Sequence, residues 1–288
     1  MKTSLKFTIV TVLAAVFLTG SIVRADEAAA PAPAAPEMNS FASSAGNDPD
    51  KLVFTSPLYV WALGLTGTAT LRGNIVRVDE SFTELMDHLD QGFTAYLQLS
   101  KPQYGFYVNP NYYSLSFGGK LGGQHAELDT TMFILENGAY YRIWHFEGDR
   151  PGQLSLVGGA RYWNLHNNLH AGALGATPND KSVAGTKWLL DPFIGLRFNE
   201  AITPRVHLMS QMDMGGFNLA GQTSRFSWQF ETLVGYDFTM PVVKFPSTVF
   251  AGWRQINIQK TSGSSPVNQT AFNLNFSGVM VGLNCKLF

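Results

Sequence analysis

From about residue 57 onward, apolar and polar side chains alternate with a period of two. Tyr59, Trp61, Leu63, Leu65, Ala69 and Leu71 fall on one face of an extended segment, and Thr66, Thr68, Thr70 and Arg72 on the other. Phe93, Ala95, Leu97 and Leu99 alternate with Thr94, Tyr96, Gln98 and Ser100. Val206, Leu208, Met212 and Met214 alternate with His207, Gln211 and Asp213, and Trp228, Phe230, Thr232, Val234, Tyr236 and Phe238 with Ser227, Gln229, Glu231, Gly235 and Asp237. Successive side chains of a strand point to opposite faces, so one side of the sheet meets hydrocarbon and the other meets polar groups. The pattern predicts an all-β, antiparallel chain of about ten strands, with eight and twelve as the neighbouring even counts. They run roughly over 57–72, 91–101, 104–117, 130–146, 153–166, 188–199, 203–215, 226–238, 247–260 and 270–288. The clear helix signal is Ser81-Phe82-Thr83-Glu84, a capping-box spacing that opens a short turn through Leu85 to His88.

The connections separate two fates for such a sheet. Those at 73–90, 118–129, 167–187, 216–225 and 261–269 are mostly longer than Pro102-Gln103, 147–152, 200–202 and 239–246. Long loops at one end and shorter turns at the other characterise a transmembrane β-barrel. A soluble lipocalin-type barrel would put the apolar face inside, and alternation alone does not distinguish the two. Aromatic positions favour the membrane reading. Tyr59, Trp61, Tyr141, Phe198, Tyr236 and Phe238 fall near one set of strand ends, and Phe93, Trp188, Trp228 and Phe272 near the other. Amphipathic rings settle at both membrane interfaces and form such girdles.

Composition narrows the classes. Charged residues are 14% and aromatic residues 13%, with 28 glycines and one cysteine in 288 residues. There is no basic excess to hold nucleic acid, no cysteine set for disulfides or a cysteine-based metal site, and too little charge for disorder. At the N-terminus Lys2 and Lys6 precede an apolar run from Phe7 to Leu18, followed by Val23-Arg24-Ala25. This is the layout of a cleaved signal peptide over residues 1–25, in a run shorter than a membrane-spanning helix requires. Its removal takes Lys2, Lys6 and Arg24 and leaves a formal charge of −4. Residues 26–56 read as an Ala/Pro-rich periplasmic tail, in which Pro31, Pro33 and Pro36 favour an extended spacer, and residues 57–288 as the barrel.

Several segments resemble a family of largely uncharacterised Gram-negative outer-membrane β-barrel proteins of the surface-antigen type. They are Trp61 to Gly67, Val78 to Asp90, Arg161-Tyr162-Trp163-Asn164-Leu165, Leu190 to Arg197, Asp213 to Phe217, Gly235-Tyr236, Gly252-Trp253-Arg254 and Gly278 to Leu283. The resemblance implies an outer-membrane location and a barrel architecture, with little biochemistry. It also implies lipid, lipopolysaccharide and the barrel-assembly machinery as partners. The C-terminus departs from the usual insertion signal. Val279, Val281, Leu283, Cys285 and Leu287 form an alternating apolar set that leaves Phe288 one residue out of phase. Phe272, Leu274 and Phe276 have the opposite parity, so a β-bulge at Gly278 is the expected phase switch.

The candidate chemistry lies on the polar face. Glu136, Arg142, Arg161, Asp191, Arg197, Asp213, Glu231, Asp237 and Arg254 carry both signs into a narrow lumen. They form either a closed charge network that fills the barrel or a constriction for small polar solutes. His166 and His170 share a face but lack an evident third metal ligand. His207 and Ser210 with Glu231 or Asp213 have the composition of a hydrolase triad, yet His207 and Ser210 point to opposite faces of a regular strand. Tyr104, Tyr107, Tyr112 and Tyr113 suit packing or a girdle better than sugar stacking, and Cys285 reads as a small apolar residue. The sequence therefore predicts a structural or surface-exposed envelope barrel, with a narrow solute pore as its conducting variant, no cofactor, no metal and no catalytic residues. An enzyme acting on envelope lipid is the alternative.

Overall fold

The computed structural model describes residues 52–71, 74–121, 124–172, 181–239, 246–262 and 270–285. The signal peptide, the tail as far as residue 51, and Phe288 lie outside the described residues. The strands are β1 (Val53–Thr55), β2 (Leu58–Leu71), β3 (Asn74–Glu80), β4 (Leu89–Thr94), β5 (Leu97–Ser100), β6 (Tyr104–Leu121), β7 (Gln124–Phe146), β8 (Gly152–Gly172), β9 (Lys181–Thr203), β10 (Val206–Gly215), β11 (Phe226–Thr239), β12 (Pro246–Ser262) and β13 (Thr270–Cys285). One helix, α1 (Phe82–Asp87), sits between β3 and β4. The capping box forms there: the Ser81 backbone N–H donates to Glu84 at 2.7 Å and the Glu84 N–H donates to the Ser81 hydroxyl. The Ser81 hydroxyl and the Ser81 N–H, both donating to the Glu84 carboxylate, hold that exposed carboxyl below its usual range.

All strands join one antiparallel sheet in which β5 through β13 pair in order. The ring closes because β13 pairs with β2, and β1, just ahead of β2 in the chain, pairs with β5. β1 and β2 are one broken strand, β4 and β5 another, and β3 extends the β2 hairpin, so ten lengths of chain make the wall. β1 lies inside the segment that the sequence assigns to the tail, so ladder pairing begins at Val53. The β13–β2 joint is continuous from Thr270–Leu71 to Leu283–Leu58. Between β2 and the β4–β5 strand the ladder shrinks to one bridge, Leu58 to Ala95. Side chains reinforce this seam: the Thr94 hydroxyl donates to the Tyr59 carbonyl, and the Tyr113 hydroxyl to the Trp61 carbonyl.

The strands change character along their length. Near the short turns, outward positions are apolar: Leu156 on β8, Ile194 and Leu196 on β9, Val234 on β11, Val249 and Trp253 on β12, and Val279 and Val281 on β13 are all exposed. On β9 this band runs from Trp188 to Phe198, the length of a tilted membrane-spanning strand of about 9–11 residues. Beyond it, outward positions turn polar. Gln255 and Asn275 bond at 2.8 Å across β12 and β13, Asn257 and Asn273 at 3.0 Å, and His166 reaches Thr186 at 2.8 Å across β8 and β9. In the same half the inward positions turn apolar: Ile134, Trp163, Ile256, Ile258 and Phe276 are fully buried.

This exchange of faces corrects several sequence expectations. Tyr59, Trp61 and Phe272 are not girdle residues. Tyr59 and Trp61 are buried in the lumen, and Phe272 packs on the interior apolar cluster with Phe276. Phe93, Tyr141, Trp188 and Tyr236 are exposed, while Phe198, Trp228 and Phe238 are half-buried on the outward parity of their strands. No bulge occurs at Gly278, since β13 keeps unbroken register with both neighbours. The apolar set changes parity there because the outside solvent changes from lipid to water. For the same reason 118–129 and 167–187 are largely strand rather than loop: β6 to β9 continue past the apolar band with their ladders intact.

Two arginine substitutions on one face of β13 test the exchange. Val281→Arg is expected to cost about 2–4 kcal/mol, and Asn275→Arg within about 0.5 kcal/mol of wild type. Equilibrium urea unfolding in lipid vesicles measures both; equal costs would place the two positions in one solvent.

Candidate functional site: a charge network across the lumen

The inward positions of β7, β8, β10, β11 and β12 bring five ionised side chains into continuous contact. Glu136 Oε2 accepts from Arg161 Nε and from Arg254 Nη2, each at 2.9 Å. Arg161 Nη2 also reaches Asp213 at 3.0 Å, and Arg254 Nε reaches Glu231 at 3.4 Å. Glu136 and Arg161 face each other across the β7–β8 ladder, as do Glu231 and Arg254 across β11–β12. The Glu136–Arg254 pair instead crosses the lumen between opposite walls. Each of these side chains is at least nine-tenths buried.

Neutral groups complete the network. The Tyr107 hydroxyl donates to Glu136 Oε1 at 2.9 Å. Gln229 Oε1 accepts from Arg254 Nη2 at 3.0 Å, and Gln211 Nε2 donates to Asp213 at 3.1 Å and toward Tyr107 at 3.3 Å. Asn109 presents its amide oxygen to Arg254 Nη1 at 3.1 Å and its amide nitrogen to the Tyr59 hydroxyl at 2.6 Å. Arg254 lies over the Trp61 ring and Arg161 over the Phe193 ring, both at 5.0 Å. Arg197 has no carboxylate within ion-pair distance among the described residues. Its Nε donates to Gln211 at 2.9 Å, and its guanidinium lies against the Tyr107 and Tyr140 rings at 4.7 and 4.8 Å. Weak hydration and a planar face suit guanidinium, more than ammonium, to such an interior. Gly195 and Gly278 stand opposite Asp213 and Arg254. A Cβ at Gly195 would lie 2.6 Å from Asp213 Cβ, and one at Gly278 would strike the Ala62 carbonyl.

The remaining candidates sit apart from this centre. Asp191 is fully buried but accepts the Ser224 N–H at 2.6 Å rather than an arginine, because the 216–225 loop folds inward above it. Arg142, half-buried beside a bulge near the short turns, donates to Gln103 at 3.2 Å. Asp237 bonds His207 at 2.7 Å and accepts from Thr248. Ser210 bonds Thr232 instead, so His207 and Ser210 do not assemble as a triad. His170 lies 3.9 Å from Asp129 and His166 bonds Thr186, and no group of three metal-ligating side chains forms among the described residues. The sequence reading missed Tyr107, Trp61 and Asn109. Parity is the signal available for Tyr107 and Asn109, which share a face with Asn111; Trp61, between Tyr59 and Leu63 on its own face, offers none.

The sequence matches no protein-family profile and no curated protein. Among solved structures, the fold is similar to the outer membrane protease OmpT from Escherichia coli. The TM-score is 0.50 and the identity 12%, covering 83% of this chain and 98% of that one. Ail of Yersinia pestis (TM-score 0.33, 10% identity, 81% and 98% covered) and neisserial surface protein A (0.27, 16%, 83% and 100%) are more distant. At such identity the likeness to OmpT is one of fold. The chain has the fold of an outer-membrane β-barrel.

Removing one member of a buried ion network leaves the others uncompensated. Glu136→Gln removes the carboxylate that two guanidinium groups share, leaves the buried network with excess positive charge, and is expected to cost about 3–5 kcal/mol. Arg142→Gln, outside the network, is expected to stay within about 1 kcal/mol. Denaturation of the purified barrel in urea checks the contrast.

Proposed function

We propose that this protein is an outer-membrane barrel whose lumen is closed, and that it serves as an anchored, non-enzymatic envelope component displaying its outer half at the cell surface. The observation that carries this reading is the Glu136–Arg254 contact across the lumen, together with the full burial of the arginines around it. Oppositely charged groups that satisfy one another leave no chain of water for an ion to follow. The apolar band fits the membrane location, and the predicted leader fits export.

Planar-bilayer recording tests the closure. Wild-type protein is expected to insert without steady conductance, and the Arg161→Ala/Arg254→Ala double variant to open a leak. A stable, ion-selective wild-type conductance would replace this reading with that of a pore. The His207–Asp237 contact at 2.7 Å supports a second, catalytic reading. In that case purified protein should hydrolyse envelope lipid or peptide, and His207→Ala should abolish the activity.

A further inference from the structure

The outer half of the barrel has the polarity of a soluble one, and its inner face is not uniform. Around the fully buried layer of Trp163, Ile256, Ile258 and Phe276, a rim of partly buried apolar side chains packs on the cluster: Leu65, Leu89, Leu165, Phe272 and Leu274. Two of these stand beside cations across a ladder, Leu165 with Lys187 on β8–β9 and Phe272 with Lys260 on β12–β13. Paired residues of an antiparallel ladder share a face. Lys187 and Lys260 are therefore on the inner side of the mouth, immediately next to its apolar lining.

The 216–225 loop holds this arrangement in place. It enters through Gly216, Phe217 and Asn218, all with positive φ, a conformation unfavourable for a bulky residue such as phenylalanine. Leu190 N–H donates to Gln222 O at 2.9 Å, Asp191 accepts the Ser224 N–H, and Arg225 N–H donates to Gln259 O at 2.7 Å. Lys260 Nζ donates to the Gly221 and Thr223 carbonyls, both at 2.5 Å. The tied loop thus holds the Arg225 backbone against β12, one register step beyond the Phe226–Gln259 pair and so opposite Lys260, and Lys187 is close enough for its charge to act on Lys260. Burial pushes the Lys260 ammonium below its usual range; buried Asp191 opposes this and the charge of Lys187 adds to it. Lys187 and Arg225 are exposed and form no ion pair among the described residues. Among the described residues the inner carboxylates nearest this level are Asp191, which is committed to the Ser224 N–H, and Glu80, which is cross-strand from Leu65.

We propose that the outer mouth of the barrel is a binding site for an anionic amphiphile, with its carboxylate or phosphate group on Lys187 and Arg225 and its apolar body against Leu165, Phe272 and Leu274. A bare anion would find cations here but no use for the apolar lining. A neutral apolar molecule would leave the crowded cations uncompensated. A molecule carrying both features matches both halves of the surface. Lys260, committed to the loop carbonyls, adds field and fixes the loop. The site lies on the outer side of the Glu136 network, so its occupancy is independent of whether the lumen conducts.

The test is calorimetric titration of the full-length protein in nanodiscs, with empty nanodiscs as the blank. Four probes are used: 2-naphthoate, 2-naphthyl phosphate, the neutral 2-naphthylmethanol, and inorganic phosphate. At least one of the two anionic naphthyl probes is expected to bind roughly ten-fold or more tightly than the neutral probe or phosphate alone. The preferred one identifies the head group. Lys187→Ala/Arg225→Ala, at exposed positions that leave the loop ties intact, should weaken the anionic probes by roughly ten-fold and leave the neutral one unchanged. Leu165→Asn should weaken all naphthyl probes. Absence of binding above the blank, equal binding of acid and alcohol, equal binding of phosphate alone, or indifference to the double variant would each overturn the proposal.

Discussion

One carboxylate oxygen, Oε2 of Glu136, receives a guanidinium from the neighbouring strand and another from the far wall. The architecture around it follows from where charge is tolerated. An arginine at the level of the apolar band loses about 2–4 kcal/mol if it faces lipid, so it turns inward. Inside a ten-strand ring it must find a counter-charge, because the lumen is too narrow for each charge to keep its own water shell. Glu136, Asp213 and Glu231 supply that charge. Tyr107, Gln211, Gln229 and Asn109 take up remaining bonding positions, and the faces of Trp61, Phe193, Tyr107 and Tyr140 cover the guanidinium planes. Arg197 shows how far this extends. It is buried among aromatic faces and amide oxygens, tied through Gln211 to the same carboxylates.

Above this centre the physical problem reverses. Once the wall leaves the hydrocarbon, its outside meets water and its inside needs an apolar core. A single strand satisfies both demands without changing its pleat. On β13 the outward series passes from Val281 and Val279 to Asn275 and Asn273, while the inward series passes from Met280 through Gly278 to Phe276, Leu274 and Phe272. The backbone remains regular throughout, and only the composition of each face is exchanged.

The sequence made the class of fold and the strands legible, because period-two alternation survives whichever face is apolar. The inward set Arg161, Asp213, Glu231 and Arg254 was equally legible, since a charge within a strand has one tolerable direction. Aromatic rings carry no such sign. Tyr59 and Trp61 alternate with Leu58, Val60 and Ala62, so neither face of this segment is marked as polar, and their inward placement depends on Asn109, Asn111 and Arg254 arriving from distant strands. The inward fold of the 216–225 loop was also hidden, because Asp191 and Lys260 reach it from strands that only the completed ring brings together.

The seam beside β2 gives the ring an unequal circumference. The first and last long strands of the described chain, β2 and β13, meet in a long, unbroken ladder, the place where a closed sheet is conventionally imagined to part. Here the slender joint lies one strand further in, where a single bridge and a few side chains hold β2 to the β4–β5 strand, with α1 spanning above. A wall of this kind has a built-in crease. Strain on the cylinder, whether from a thinner bilayer or from lateral crowding, concentrates at that crease and spares the terminal joint. β2 therefore works as a hinge post, fixed firmly to β13 and lightly to the β4–β5 strand.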